Sequence, residues 1–120
     1  DTDGNLWFVD IPFGRVFRAD PAGEISQIAE YDGQPNGLKI HRDGRIFLAD
    51  YQNGIMLLDP ATGAVTKALG DADTESFKGC NDLHFGRDGA LHGGANVIRG
   101  EVGTLGHLLV QPRAHQTAFP

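Results

Sequence analysis

The chain has 120 residues, 40% hydrophobic and 22% charged, which is ordinary for one small globular domain and too apolar for a disordered chain. A formal charge of −6, with Lys and Arg outnumbered and scattered, argues against a phosphate-neutralising surface, so no nucleic-acid partner is expected. The single cysteine, Cys80, cannot pair within the chain, which favours a reducing, cytoplasmic setting.

Seventeen glycines point to a chain built mostly of turns. The opening, DTDGNLWF, has neither a secretory signal nor an initiator methionine. Asp3-Gly4 marks a tight turn, and the apolar run after it predicts a strand at 6–10. Gly14 closes the next turn, before a strand at 15–19. Asp20-Pro21-Ala22-Gly23 turns again, proline supplying the fixed φ, into a strand at 24–30. Strands at 37–42 and 45–50 flank Asp43-Gly44, strands at 55–58 and 64–69 flank the Asp59-Pro60 turn, and a strand at 81–86 precedes Asp88-Gly89. No long segment has a helical period. The longest apolar runs, LWFV and IMLL, are far too short to cross a bilayer, so no membrane contact is expected.

These elements repeat. The Asp-Gly pairs recur at spacings of 40 and 45 residues, and DGNLWFVDIPFGRVFRADPAG runs parallel to DGRIFLADYQNGIMLLDPATG. Four short antiparallel strands per repeat of this length predict an all-β chain, an incomplete β-propeller of about two to two and a half four-stranded blades. A β-sandwich is the rival for many short strands, but it does not explain the register. The first blade lacks its innermost strand, and the piece is expected to expose apolar flanks and edges that promote self-association.

The pattern divides the chain into blades over residues 1–91 and a divergent tail over 92–120. After FGRDGAL the repeat calls for a strand ending in Asp, and HGGANVIRGEVG stands there instead, although 105–110 still suits a strand. A genuine insertion is one reading of the break, and a shifted reading frame or a mis-spliced junction near Leu91 is the other. In that second case the other frames of the encoding DNA are expected to restore the missing strand.

Two asparagines stand out. Asn36 precedes Leu38 and Ile40 on one strand face, and Asn81 precedes Leu83 and Phe85 in the same way. An unpaired buried amide costs roughly 1–3 kcal/mol, so each needs a partner. At equivalent places in two blades, the amides are expected to converge at the mouth of the channel, where oxygens suit a hard cation. Alternatively each asparagine caps its own loop. For Asn36, between proline and glycine, both readings stand; for Asn81, the Asp82 beside it favours a site.

DGNLWFVDIPFGRVFR, PNGLKIHRDGRIFLAD and FKGCNDLHFGRDGAL resemble the gluconolactonase/senescence marker protein 30 family of six-bladed propellers, over residues 3–91. The resemblance implies a calcium- or zinc-dependent hydrolase that opens a small-molecule sugar lactone. It also implies that Asn81 is a metal ligand and that Asn36, Asn81 and Asp82 contact substrate. The family's metal-binding glutamate and its later aspartate have no counterpart in these 120 residues, so no catalytic residue is assigned and no activity is expected of this chain alone. A non-catalytic binding segment of a propeller and a truncated, inactive product are the rival readings.

Other candidates point elsewhere. His41, His84, His92, His107 and His115 show no zinc-helix or finger spacing and read as surface or loop residues. Asp10 and Asp50 end equivalent strands and read as turn-forming carboxylates. The acidic 71–75 stretch lacks the pattern of a calcium loop and reads as a solvated connection. Cys80 reads as a small buried residue.

Overall fold

In the computed structural model, described residues are 1–69, 71–72, 75–76, 80–97 and 104–110. All regular structure among them is β. Strands β1 (Leu6–Asp10), β2 (Arg15–Ala19) and β3 (Ile25–Glu30) form one antiparallel sheet in that order. A second sheet orders β4 (Pro35–Ile40), β5 (Ile46–Asp50), β6 (Gly54–Leu58) and β7 (Val65–Leu69). A third joins β10 (Cys80–Phe85), β11 (Leu91–Val97) and β12 (Thr104–Val110), and a small hairpin pairs β8 (Asp71–Ala72) with β9 (Glu75–Ser76).

The strands fall where turn chemistry puts them. Gly4, Gly44 and Gly89 all adopt positive φ, between 82° and 92°, where a side chain would be strained. Each donates its N–H three residues back, to Asp1, His41 and Gly86. The same hairpin is thus built three times. Pro35 is tolerated at the first position of β4, the place in a strand that suits a residue with no N–H. No sequence pattern predicts strand β11, because His92, Gly93 and Gly94 carry no apolar alternation; pairing with β10 and β12 supplies its order instead. The strand expected at 105–110 is β12. Residues 98–103 and 111–120 of the divergent tail lie outside the described residues.

Two apolar layers hold the sheets together. Val16 and Ala29 of the first sheet pack with Ile46, Leu48, Met56 and Leu58 of the second, flanked by Trp7, Val9 and Leu38. Phe47, Ala49 and Ile55, from the other face of the second sheet, pack with Cys80 and Leu83 of the third. Every residue of β5 is buried, because alternate side chains enter different layers. Burying each large aliphatic or aromatic side chain contributes about 1.5–3 kcal/mol. The first sheet has only one covered face, and Leu6, Phe8 and Ile25 remain exposed on the other.

Candidate functional site

Asn36 and Asn81 are the second residues of β4 and β10, which are edge strands of adjacent sheets. In both places the ladder slips by one residue. Pro35 pairs with Asp50 and Gly37 with Ala49; Cys80 pairs with Ala95 and Asp82 with Gly94. The residue left over is the asparagine each time. Such a bulge bends the strand and re-aims its side chain. The expectation that Asn81 shares a face with the apolar residues that follow it is therefore corrected: Leu83 is buried while Asn81 is exposed.

The re-aimed amides meet. Asn36 Nδ2 donates to Oδ1 of Asn81, linking residues 45 apart in sequence, so Asn36 serves this contact and does not cap its own loop. Asp82 lies beside them, its Oδ1 accepting the Leu83 N–H at 2.8 Å. Gly37 makes this approach feasible. A Cβ there would sit 3.0 Å from both the Asn81 carbonyl oxygen and Asp82 Oδ1, closer than ordinary contact. Three oxygen-bearing side chains from two sheets thus gather at one end of the strands.

Next to them is a buried carboxylate. Asp50 is fully buried and accepts four hydrogen bonds: Tyr31 Oη at 2.6 Å, the Gln34 N–H at 3.1 Å, and the Gln52 and Asn53 N–H groups at 2.8 Å each. It is a turn-forming carboxylate, as expected, with two further donors that its position in the sequence did not disclose. Burial raises the Tyr31 phenol above its ordinary pKa, and the bond to Asp50 and that residue's charge reinforce the shift. Cys80 is 4% exposed; burial first, then the charges of Asp50 and Asp82, push its thiol up to about 11. The thiol is protonated at neutral pH and is no nucleophile.

The histidines are elsewhere. His84 and His92 are cross-strand partners with stacked rings 4.9 Å apart, a pairing that their eight-residue spacing hid until the hairpin was known. His41 Nδ1 lies 2.8 Å from Asp43, with its ring against Phe85. Two clefts, of about 520 and 420 Å³, open by the Asp-Gly hairpins, at the opposite ends of the strands from the asparagines. The smaller is lined by Asp1, Asp3, Arg18, His41 and Arg42, with no single charge prevailing. Among the described residues, no three His, Cys, Asp or Glu side chains gather to hold a metal ion. No helix among them is long and apolar enough to cross a membrane.

Comparison with known proteins gives this geometry a context. A gluconolactonase of Xanthomonas campestris superimposes with a TM-score of 0.72 at 21% identity, over 79% of this chain and 32% of that one. A streptogramin B lyase structure superimposes with a TM-score of 0.61 at 19% identity, over 89% of this chain and 37% of that one. The chain spans about a third of the length of these structures. No curated protein matches it. The family model described as the SMP-30/Gluconolactonase/LRE-like region matches residues 1–115, past the point where the repeat register ends. A match over nearly the whole chain, on top of the repeated sheets and hairpins, is decisive: the chain belongs to the SMP-30/gluconolactonase/LRE-like family.

Proposed function

We propose that this chain forms two to two and a half blades of a six-bladed propeller lactonase and contributes Asn36, Asn81 and Asp82 to its cation and substrate site. One observation carries the reading: two asparagines at matching bulges of successive repeats reach one another through their side chains. A loop cap would not require that meeting.

The donor chemistry supports a hard cation. Asn36, Asn81 and Asp82 offer oxygen alone, which suits calcium better than zinc, whose protein sites draw on Cys and His. Calcium takes six to eight oxygens, so these three side chains would be part of a shell. When bound, the cation supplies Lewis acidity to a lactone carbonyl and lowers the pKa of water. The chain's own part is orientation. Asn81 would hold its oxygen toward the cation, Asn36 would fix the Asn81 amide from the neighbouring sheet, and Asp82 would add the one negative charge of the set. The narrow approach over Gly37 keeps these groups within one small volume.

A second reading has an observation of its own. The lack of a three-residue metal cluster among the described residues favours a propeller segment that binds a partner without catalysis. Titration with calcium, read by the side-chain amide signals of Asn36 and Asn81 and by thermal melting, separates the two. The lactonase reading expects both amide signals to move and the midpoint to rise with occupancy, by about 2.7 kcal/mol of stability at a hundredfold excess over Kd. If neither signal moves at millimolar calcium, cation binding by this chain on its own is ruled out and the binding-segment reading takes its place there.

A further inference from the structure

We infer that Asp50 is the positioning residue of the asparagine pair: its buried carboxylate fixes the β4 bulge that aims Asn36 and sets a negative field beside a cation held there. The inference rests on the proposed cation site for its second half and on geometry alone for its first.

The geometry is local. Asp50 is the cross-strand partner of Pro35, the residue just before the bulged Asn36. Its Oδ2 takes the Gln34 N–H, and the Gln34 carbonyl in turn accepts the Tyr51 N–H at 2.9 Å. The chain entering the bulge is therefore held on both sides by Asp50 and its neighbour. Oδ1 meanwhile takes the Gln52 and Asn53 N–H groups, and Asn53 Nδ2 donates to the Asp32 carbonyl at 2.9 Å. Gly33 lacks a Cβ where one would stand 2.3 Å from Asp50 Oδ2, so the loop before β4 closes directly on the carboxylate. One side chain thus ties the loop before Asn36 to the turn after β5.

The charge is the second consequence. Asp50 is 0% exposed, and the four donors named are a phenol and three backbone amides, none of them charged. No cation stands among these donors to cancel a negative charge on the carboxylate, and burial keeps water from screening it. Pro35 directly precedes Asn36, and the carboxylate sits across the ladder from it. An anion so placed favours a cation at the asparagine oxygens, as partners behind metal ligands do elsewhere.

The equivalent residue of the first repeat shows that this is specific to Asp50. Asp10 also ends its strand, but it pairs with the Arg15 guanidinium, which neutralises it, and its side chain stays a quarter exposed.

The test compares Asp50→Asn with Tyr31→Phe in the whole chain, each read by the side-chain amide NMR signals of Asn36 and Asn81 and by calcium titration. Both variants are expected to melt earlier. Only Asp50→Asn is expected to shift the two amide signals and to weaken calcium binding at least tenfold; Tyr31→Phe is expected to stay within twofold of the parent. If Asp50→Asn lowers the melting point yet leaves both amides and the calcium affinity at parental values, the residue is structural and the inference is overturned. If the parent chain itself does not bind calcium, the cation reading fails on its own, and the amide signals decide the positioning role: a shift in Asp50→Asn alone upholds it, no shift sinks it. Should Asp50→Asn not fold, Gly33→Ala pushes a methyl group into Oδ2 and is expected to move the same signals; unchanged signals there overturn the inference.

Discussion

The outer flank of the first sheet and its counterpart on the second carry apolar side chains at the same five positions, yet only the second flank is covered. Cross-strand pairing equates Leu6 with Ile46, Phe8 with Leu48, Phe17 with Met56, Ala19 with Leu58 and Ile25 with Val65. Leu6 and Ile25 are 66% and 61% exposed, whereas Ile46, Leu48 and Leu58 are at most 2% exposed. Residue type is alike on the two flanks, so the difference comes from the neighbouring sheet. A repeat of this kind writes the same interface into every copy, and burial follows wherever another sheet is at hand.

Large-to-small substitution sharpens that contrast most. Ile46→Ala is expected to destabilise by about 2–5 kcal/mol, through lost transfer energy and the cavity left behind. Leu6→Ala, at the equivalent position, is expected to stay within about 0.5 kcal/mol. Urea unfolding of the two variants measures both. An equal cost would mean that the first flank is also covered in solution, and dependence of that cost on protein concentration would identify a second copy as the cover.

The paired aspartates give the next largest effect. Asp50→Ala strands the Tyr31 hydroxyl and the Gln34, Gln52 and Asn53 amides in a buried setting, for an expected loss of about 3–5 kcal/mol. Asp10→Ala removes a partly exposed pair with Arg15, of the order of 0–1 kcal/mol. The comparison breaks if the two losses are alike.

Much of this was legible in the chain itself, for reasons that can be traced to residues. Asp-Gly and Asp-Pro turns punctuate eight strands whose ends, read from the sequence, lie within two residues of the observed ones. Asn36 and Asn81 announced themselves as polar residues heading apolar runs. What stayed hidden depends on register. A strand alternation cannot show that a ladder slips at Asn36 and again at Asn81, because the slip is defined by the partner strand. Asp10 and Asp50 read alike, since FVD and LAD differ in nothing that foretells whether an arginine or a buried loop will face the carboxylate. His84 and His92 became neighbours only through a hairpin whose second strand had no pattern to read.

Raising the pH tests the layer around Asp50 more gently. Cys80 and Tyr31 both keep their protons in the folded chain past the pH at which the unfolded chain releases them. Stability from this source is full below about pH 9, the ordinary value for the thiol, and is lost as pH rises from there toward about 11. Tyr31 extends the decline above about pH 10. Cys80→Ala is expected to flatten the first part of the alkaline limb and Tyr31→Phe the second, in melting curves taken from pH 8 upward. A limb unchanged in both variants would place these groups in water.

The smallest effect lies at the hairpins, where the three Asp-Gly turns differ only in their trimmings. Asp43 and Asp88 each accept the N–H two residues on, from Arg45 at 3.1 Å and from Ala90 at 3.0 Å. Asp43 alone adds the Arg45 Nε at 2.8 Å and His41. Desolvation, the largest influence on its carboxyl, raises the pKa. The Arg45 amide, the His41 contact and the Arg45 side chain together outweigh it and hold the group below its ordinary range. The sign follows from the lowered folded value: this support is present above the ordinary carboxylate pKa and disappears as pH falls through the folded one. Asp43 is 44% exposed, so solvent screens most of the effect. Asp43→Asn is therefore expected to remove a slight acid-side loss of stability, read in melting curves taken from neutral pH downward. An acid limb unchanged in this variant would mean that the Arg45 and His41 partners do not hold the carboxyl down.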